Sequence, residues 1–289
     1  MRKLTLHKFA RNTKMPKSDS IMLNYPFCAS IPSLKFLIKC LKDVKNRFNI
    51  FIINNLKNYQ KKQPNLSKEQ CMEIFSNYIN IWFYLLAFLV GGIPFGVMLT
   101  KILYGINLRD IGSGSIGATN VYRALKEKDP KRAKLVSVAT LILDAIKGTI
   151  VIALAKAMGL PYGAQWFMAI LAVLGHCYSP YLGFQGGKGV STAIGSVILL
   201  MPIEGALGLV VWAFVGKVFK VSSLSSLMGV LSGVVLTFIV PYLFSLPPSI
   251  DITAQINSHT PIVLIGLIIL YTHIPNIVRL FRGQEGKVL

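Results

Sequence analysis

The sequence predicts an all-α, polytopic membrane protein, and three observations lead to this fold class. Hydrophobic residues make up 53% of the 289 positions and charged residues only 15%, a composition unlike that of an average soluble domain. Several apolar runs approach the ~20 residues that a helix needs to cross a bilayer. Lys and Arg concentrate in alternate loops between these runs, as in membrane proteins whose basic loops stay in the cytoplasm. We therefore expect a seven-helix transmembrane bundle with its N-terminus outside and its C-terminus in the cytoplasm.

Residues 1–74 differ from the rest and are interpreted as a basic N-terminal extension. The first 78 residues hold 15 Lys and Arg against four Asp and Glu, which leaves 16 against seven for the remaining chain. Their apolar runs are too short to span a bilayer, and they lack the apolar block of a secretory signal. We expect this extension to be disordered or not part of the natural protein, which would then start at Met72. An organellar presequence is the alternative, and residues 75–289 form the seven-helix membrane domain in either case.

The apolar runs give the crossings in order. The first covers residues 79–103, and its glycines together with Pro94 predict a kink or a close helix contact. Residues 190–219 predict two short antiparallel helices because Pro202 and Glu204 interrupt the run near its middle. The other crossings are 135–158, 162–182, 224–243 and 261–271.

The charges of the loops support seven crossings. Residues 105–134, the turn after the fifth crossing and the C-terminal tail are all basic, whereas the opposite loops hold Glu204 and Asp251 and no Lys or Arg. Seven crossings place every basic loop on one side, and six would separate the tail from the first loop. We therefore expect the positive charge to face membrane lipid and phosphorylated substrates, and we expect no nucleic-acid partner.

The first of three polar segments on the basic side is RDIGSGSIGATNVYR, residues 109–123. Its glycines formally match the dinucleotide fingerprint, but they follow a membrane span and not a strand, so a Rossmann site is disfavoured. The glycines still let backbone N–H groups approach an anion, and Ser113, Asn120 and Arg123 add donors. A flexible loop that packs against helices is the alternative.

The second segment is GFQGGKGVST, residues 183–192. It lacks the first glycine and the Ser or Thr of a Walker A loop, so an ATPase is disfavoured. What remains is a Gly-Gly-Lys-Gly sequence at the start of a helix, where free N–H groups and a lysine favour an anion. The candidate binding residues are Gly186, Gly187, Lys188 and Gly189.

The third segment is YTHIPNIVRLFRG, residues 271–283, in which His273 lies at the inner end of the last span with Asn276 nearby. An imidazole there is able to titrate near neutral pH or to hydrogen-bond in its neutral form. Asp144 and Lys147 lie within the second crossing at i,i+3 spacing and are interpreted as a scaffolding ion pair. Carboxylates are scarce and unclustered, so we expect neither a metal nor another cofactor.

Five separated motifs resemble the bacterial membrane glycerol-3-phosphate acyltransferases that use acyl phosphate, the PlsY type. They are IPFGVMLTK (93–101), IGSGSIGATNVYR (111–123), LDAIKG (143–148), GHCYSPYLGFQGGKGVSTAIG (175–195) and HIPNIVRLFRGQE (273–285). The resemblance covers about residues 75–289 and implies a seven-helix bundle in the bacterial inner membrane with a cytoplasmic active site. It implies transfer of a long acyl chain from acyl phosphate to the 1-hydroxyl of glycerol 3-phosphate, giving lysophosphatidic acid and phosphate.

The resemblance also implies roles for individual residues. Ser113, Asn120, Arg123 and Lys188 would hold substrate phosphates, the glycines at 186–189 would form a backbone cradle, and His273 and Asn276 would be the catalytic pair. It further implies a monomer that is functionally linked to the soluble enzyme that makes acyl phosphate.

The chain departs from the family pattern at three places. Ser115 replaces an Asn, Thr272 and Ile274 replace two cations beside His273, and Tyr178-Ser179-Pro180 replaces Phe-Pro. An acyl phosphate is already activated, so positioning and charge stabilisation suffice, with a substrate phosphate as proton acceptor.

Two readings from other classes compete with the enzyme. One is a transporter for a phosphorylated solute, and the other is a lipid-binding scaffold without chemistry. The transporter would need a second polar mouth, and the scaffold does not explain three clusters of glycine and donor residues.

Overall fold

The computed structural model describes residues 32–62, 65 and 67–287, and these residues contain helices and no strand. The chain divides into two compact units, Met1–Asn65 and Leu66–Leu289. The predicted all-α class is therefore confirmed over the described ranges. The helices are α1 (Pro32–Lys62), α2 (Lys68–Gly92), α3 (Phe95–Tyr104), α4 (Ala118–Leu125), α5 (Pro130–Met158), α6 (Tyr162–Cys177), α7 (Val190–Val197), α8 (Pro202–Phe219), α9 (Ser222–Leu243), α10 (Ile252–Ile256), α11 (Thr260–Thr272) and α12 (Ile274–Phe281).

Part of the predicted extension is helical. Helix α1 occupies residues 32–62 of it, while residues 1–31 lie outside the described residues. Helix α2 begins at Lys68 because Ser67 and Gln70 form a capping box, in which each side chain bonds the other's backbone N–H. These stretches are helical in the structure, while the expectation that the extension is disordered or not part of the natural protein, and the domain boundary at residue 75, stay predictions.

The first apolar run is broken, as its glycines and proline predict. Helix α2 ends at Gly92 and α3 starts at Phe95. Pro94 has no N–H to bond the carbonyl of Val90, which instead accepts from the N–H of Ile93 at 3.2 Å. The carbonyl of Ile93 accepts a hydrogen bond from Nζ of Lys147 at 2.8 Å. A cation from α5 thus takes the place of a helical hydrogen bond at the break.

Residues 190–219 form two helices, α7 and α8, and this prediction is also confirmed. Among the described residues, four helical stretches are long and apolar enough to cross a membrane, and the pair α11 and α12, bent by 59°, makes a fifth if it counts as one span. The four stretches are Tyr78–Tyr104, Pro130–Met158, Pro202–Phe219 and Ser222–Leu243. Helix α7 has eight residues, so it rises only ~12 Å. The count of seven crossings and the orientation of the termini therefore stay predictions.

Close backbone contact holds α2 against α6. A Cβ added to Gly91 would lie 2.1 Å from the carbonyl oxygen of Ala172, and one added to Gly175 would lie 2.1 Å from that of Phe88. Glycine at both positions lets the two helices approach as small residues do in membrane bundles. This contact fixes the end of α6, from which the second polar segment departs.

A small apolar cluster holds the first polar segment on α5. Leu108 lies in a short 3₁₀ turn before the glycines, and Val121 and Leu125 lie on one side of α4. All three are fully buried and belong to a cluster that includes Ala133 and Val136 of α5. Packing of these side chains therefore orients α4 with its first turn toward the site described below.

Candidate active site

The three polar segments meet at one cavity of about 140 Å³, which we call the polar cavity. It brings together seven of the nine predicted site residues: Ser113, Asn120, Arg123, Lys188, Gly189, His273 and Asn276. The other two, Gly186 and Gly187, lie behind its wall. Segments separated by more than 60 residues in sequence thus share a single site.

Four helices begin at the polar cavity. Residues in the first turn or at the cap of α4, α7, α9 and α12 line it, and none of the four caps makes a side-chain hydrogen bond to its helix. The first N–H groups of a helix lack intrahelical partners and carry the positive end of the helix dipole. Four such ends around one cavity favour bound anions independently of any charged side chain.

Lys188 adds a fixed charge to these helix ends. Burial lowers the pKa of its ammonium to about 8, the charge of Glu285 acts in the opposite direction, and Arg279 and Arg123 lower it further. The hydroxyl of Thr272 donates to the carbonyl of Lys188 at 3.1 Å, which ties the glycine-rich segment to the end of α11. The ammonium of Lys188, together with the neighbouring cations, therefore favours the binding of a phosphate.

His273 is oriented by its own helix. Its Nδ1 lies 2.8 Å from the carbonyl oxygen of Ile269, and a carbonyl only accepts, so this nitrogen carries a proton. In the neutral ring Nε2 then has the lone pair. His273 is 1% exposed to solvent and lines the polar cavity. It can therefore accept a hydrogen bond from a hydroxyl bound there.

Glu285 organises the neighbouring side chains, a role that the sequence analysis missed. Its carboxylate accepts hydrogen bonds from Asn276 at 2.6 Å, Ser223 at 2.9 Å and Arg279 at 2.7 Å. Burial would raise the pKa of Glu285, but these three hydrogen bonds outweigh it and the pKa lies below its usual value. The motif that matched the family ends at Glu285, which was the available signal.

Asn120 bonds to its own loop at the edge of the polar cavity, and its predicted contact with substrate stays a prediction. Its amide nitrogen donates to the carbonyl oxygens of Leu108 at 3.1 Å and Ile111 at 2.9 Å, and its oxygen accepts from the N–H of Ser113 at 3.3 Å. Gly112 lies beside it with a φ of +61°, and a Cβ there would be 2.5 Å from the Asn120 oxygen. The side chain is committed to the loop that presents Ser113, so we interpret Asn120 as a positioning residue.

Gly186 and Gly187 allow the segment to pack on His176. A Cβ at Gly187 would lie 2.1 Å from Nε2 of His176, and one at Gly186 would lie 2.1 Å from its carbonyl oxygen. The N–H of Gly187 donates to that same carbonyl at 3.0 Å. These two glycines therefore place Lys188 at the polar cavity without contacting the cavity themselves.

The ion pair in α5 supports His176 from the other side. Nζ of Lys147 lies 2.8 Å from Oδ1 of Asp144 and 2.9 Å from Nδ1 of His176. All three side chains are at most 3% exposed, and Asp144 and His176 line the polar cavity. This geometry fits the predicted scaffolding role of the pair. The contact between Lys147 and His176 was not predicted from the sequence and is seen only in the folded structure.

A second cavity of about 60 Å³, the apolar channel, adjoins the first. It lies among α7, α8, α9 and α11 and is lined almost entirely by apolar residues and glycines. Four residues line both cavities: Val190, Ile194, Trp212 and Ser226. A polar and an apolar cavity side by side suit a molecule with a charged head and an apolar tail.

Comparisons with known proteins agree with this arrangement. The sequence model of the family described as "Glycerol-3-phosphate acyltransferase" matches residues 81–283. A glycerol-3-phosphate acyltransferase of Helicobacter hepaticus is 64% identical over 211 residues, which are 73% of this chain and 94% of the relative. That of Wolinella succinogenes is 52% identical over 210 residues, 73% of this chain and 97% of the relative.

Two crystal structures are also similar. Both are of PlsY (YgiH), an integral membrane glycerol 3-phosphate acyltransferase, in its glycerol 3-phosphate and lysophosphatidic acid forms. Each is 33% identical and covers 72% of this chain and 94% of its own, with TM-scores of 0.62 and 0.59. Sequence and fold agree over the region that holds the polar cavity, and the chain belongs to the glycerol-3-phosphate acyltransferase family.

Proposed function

We propose that this protein transfers a long acyl chain from acyl phosphate to the 1-hydroxyl of glycerol 3-phosphate. The products are lysophosphatidic acid and inorganic phosphate, the first step of phospholipid synthesis. The single observation that carries the proposal is the polar cavity itself, where four helix starts, Arg123 and Lys188 surround a space beside His273. The reaction brings together two phosphorylated molecules, and this cavity offers main-chain and side-chain donors for both.

The acyl group moves in one direct displacement. The 1-oxygen of glycerol 3-phosphate forms a bond to the acyl carbon while the bond from that carbon to the phosphate oxygen breaks. Phosphate leaves and takes up the hydroxyl proton, so charge and atoms balance without an enzyme nucleophile. Helix N-termini and Lys188 stabilise the negative charge that develops on the leaving group and on the acyl oxygen.

His273 and Asn276 position the accepting alcohol. Nε2 of His273 accepts the hydrogen bond of the 1-hydroxyl and turns its oxygen toward the acyl carbon. Asn276 is held by Glu285, so it presents a fixed amide to the glycerol phosphate. Correct placement of two bound reactants supplies a large part of the rate enhancement of such a reaction.

The acyl tail occupies the apolar channel. The channel adjoins the polar cavity at Trp212 and Ser226 and is otherwise lined by α7, α8, α9 and α11. Burial of methylene groups there contributes about 0.8 kcal/mol each, which binds the donor and leaves its phosphate at the start of α7.

The proposed location is the bacterial inner membrane, with the polar cavity open to the cytoplasm. The basic loop 105–134, which helps to predict this orientation, also carries the site residue Arg123. A soluble partner enzyme supplies acyl phosphate from the cytoplasm, and the enzyme acts as a monomer.

Purified protein in detergent tests the reaction when it receives palmitoyl phosphate and labelled glycerol 3-phosphate. We expect labelled lysophosphatidic acid and phosphate in equal amounts. Parallel reactions with palmitoyl coenzyme A test the donor, and product from the thioester alone would refute acyl phosphate. Uptake of labelled glycerol 3-phosphate into vesicles without lysolipid would instead indicate a transporter.

A further inference from the structure

Glu204 is a buried carboxylate that the proposed reaction does not use. It lies in the first turn of α8, is 1% exposed and lines the apolar channel. Neither of its carboxylate oxygens has a hydrogen-bond partner from another described residue. A carboxyl group in this state is costly in an apolar setting, so its position in the channel calls for an explanation.

Glu204 lies at the end of the channel that is remote from the polar cavity. The residues common to both cavities include Trp212, which follows Glu204 by eight positions on α8. Eight helical residues rise ~12 Å. On α9 the channel likewise runs from the shared Ser226 to Val234, again eight residues. Two helices thus give the same length, and Met201 lies beside Glu204 at the far end.

This length corresponds to a definite number of methylene groups. An extended alkyl chain with C–C bonds of ~1.5 Å at angles near ~111° advances ~1.25 Å per carbon. The ~12 Å between the level of Trp212 and that of Glu204 therefore equals the extended length of ~10 methylene groups. A tail that is longer by a few carbons would press its terminal methyl against the carboxyl.

We propose that Glu204 is the end wall of the apolar channel and sets the upper length of the acyl chain that the enzyme accepts. The inference rests on the proposed function, since it assigns the channel to the acyl tail. A chain that stops short of Glu204 leaves the carboxyl in its existing surroundings. A chain that reaches Glu204 presses its terminal methyl against the carboxyl group, and a methyl cannot form a hydrogen bond with that group.

Substitution of Glu204 tests the length limit directly. Glu204→Ala removes the side chain beyond Cβ, ~2.5–3.5 Å along the channel, which admits about two more carbons. We expect the longest efficiently used acyl phosphate to lengthen by that amount, as measured by kcat/KM over a series of saturated chains. Glu204→Gln keeps the size of the side chain and should keep the wild-type limit.

Gly233 offers an independent variant inside the channel. A Cβ added there meets nothing within 4 Å, so the side chain of Gly233→Leu starts in open space, and the residue lines the channel. We expect it to shorten the accepted chain. The matched control is Gly163→Leu, since a Cβ at Gly163 also meets nothing within 4 Å but the residue lies on α6 outside the channel.

The outcomes separate the inference from the function on which it rests. If wild-type protein makes lysolipid and the length profiles of Glu204→Ala and Gly233→Leu match it, the end-wall role is overturned. If Glu204→Ala does not fold, an unchanged profile in Gly233→Leu alone overturns it. If the wild type makes no lysolipid from any chain, the proposed function fails first.

Discussion

Replacing Lys188 with Met gives the sharpest test of the polar cavity, because it should weaken catalysis without weakening the fold. Met is similar in length and removes only the charge. A hydrogen bond between a charged group and phosphate contributes about 1.5–3 kcal/mol, so kcat/KM for glycerol 3-phosphate should fall about 10- to 150-fold. The assay is lysolipid formation from palmitoyl phosphate in detergent.

The thermal stability of Lys188→Met should not fall with its activity and should equal or exceed that of the wild type. Burial lowers the pKa of Lys188 from its ordinary value of 10.5 to about 8. The lowered pKa means that burying the charged ammonium costs about 3 kcal/mol of folding free energy. We use about 2 kcal/mol because the side chain retains some contact with solvent. Lys188→Met removes this cost at pH 7, so its unfolding temperature should equal or exceed that of the wild type.

Lys126→Met is the matched control, since Lys126 is an exposed cation at the end of α4 and its loss changes the net charge equally. It should alter neither kcat/KM nor the unfolding temperature. A fall in kcat/KM of less than about threefold in Lys188→Met, or an equal fall in Lys126→Met, would contradict a phosphate contact at Lys188.

Four further outcomes follow from the same site. In the wild type, kcat/KM for glycerol 3-phosphate should decline as pH rises through about 8, the pKa of Lys188, because the free ammonium loses its proton, and a pH–rate profile should lack this decline in Lys188→Met. Glu285→Gln removes a charge that raises the pKa of Lys188, so the decline should shift to lower pH, with a loss of activity of about tenfold. Asn120→Ala removes one hydrogen bond from each of two loop carbonyl oxygens and from the N–H of Ser113, which should lower stability by about 1–3 kcal/mol in thermal unfolding. Deletion of residues 1–65, which keeps the Ser67 cap of α2, should preserve membrane insertion and specific activity.

Each of these outcomes can fail in a recognisable way. An alkaline decline that survives in Lys188→Met belongs to another group. A Glu285→Gln profile that keeps its pH dependence shows that the carboxylate does not act on Lys188. Full thermal stability in Asn120→Ala means that water replaces the amide, and a truncated protein that does not insert assigns residues 1–65 a part in insertion.

The sequence predicted features that depend on neighbouring residues and on periodicity. Pro94 and its glycines fixed the break between α2 and α3, and Pro202 separated α7 from α8. The apolar runs predicted the helices but not their lengths: α6 has 16 residues and α7 has eight, so the count of seven crossings stays a prediction. The start of α2 depends on a local cap at Ser67. This start was not predicted, because the basic charge of residues 1–74 led to their interpretation as an extension.

Features that depend on distant contacts were missed. Ser223 and Glu285 are 62 residues apart, and no local pattern pairs a serine at a helix start with a carboxylate in the tail. His176 meets Lys147 only after α5 and α6 pack together. Asn120 was predicted as a donor for substrate, and its hydrogen bonds to the carbonyl oxygens of Leu108 and Ile111 became visible only once the loop was folded.

The four helix starts at the polar cavity have a consequence for how this enzyme can change. Peptide amides do not titrate, and among side-chain substitutions only one to proline removes an N–H, so part of the phosphate affinity persists when individual cations are lost. This explains how Thr272 and Ile274 are able to replace two basic residues of the family pattern beside His273. Loss of this remaining affinity would require a movement of whole helices. Few point mutations would therefore weaken the binding of a ligand that is directed at the amides.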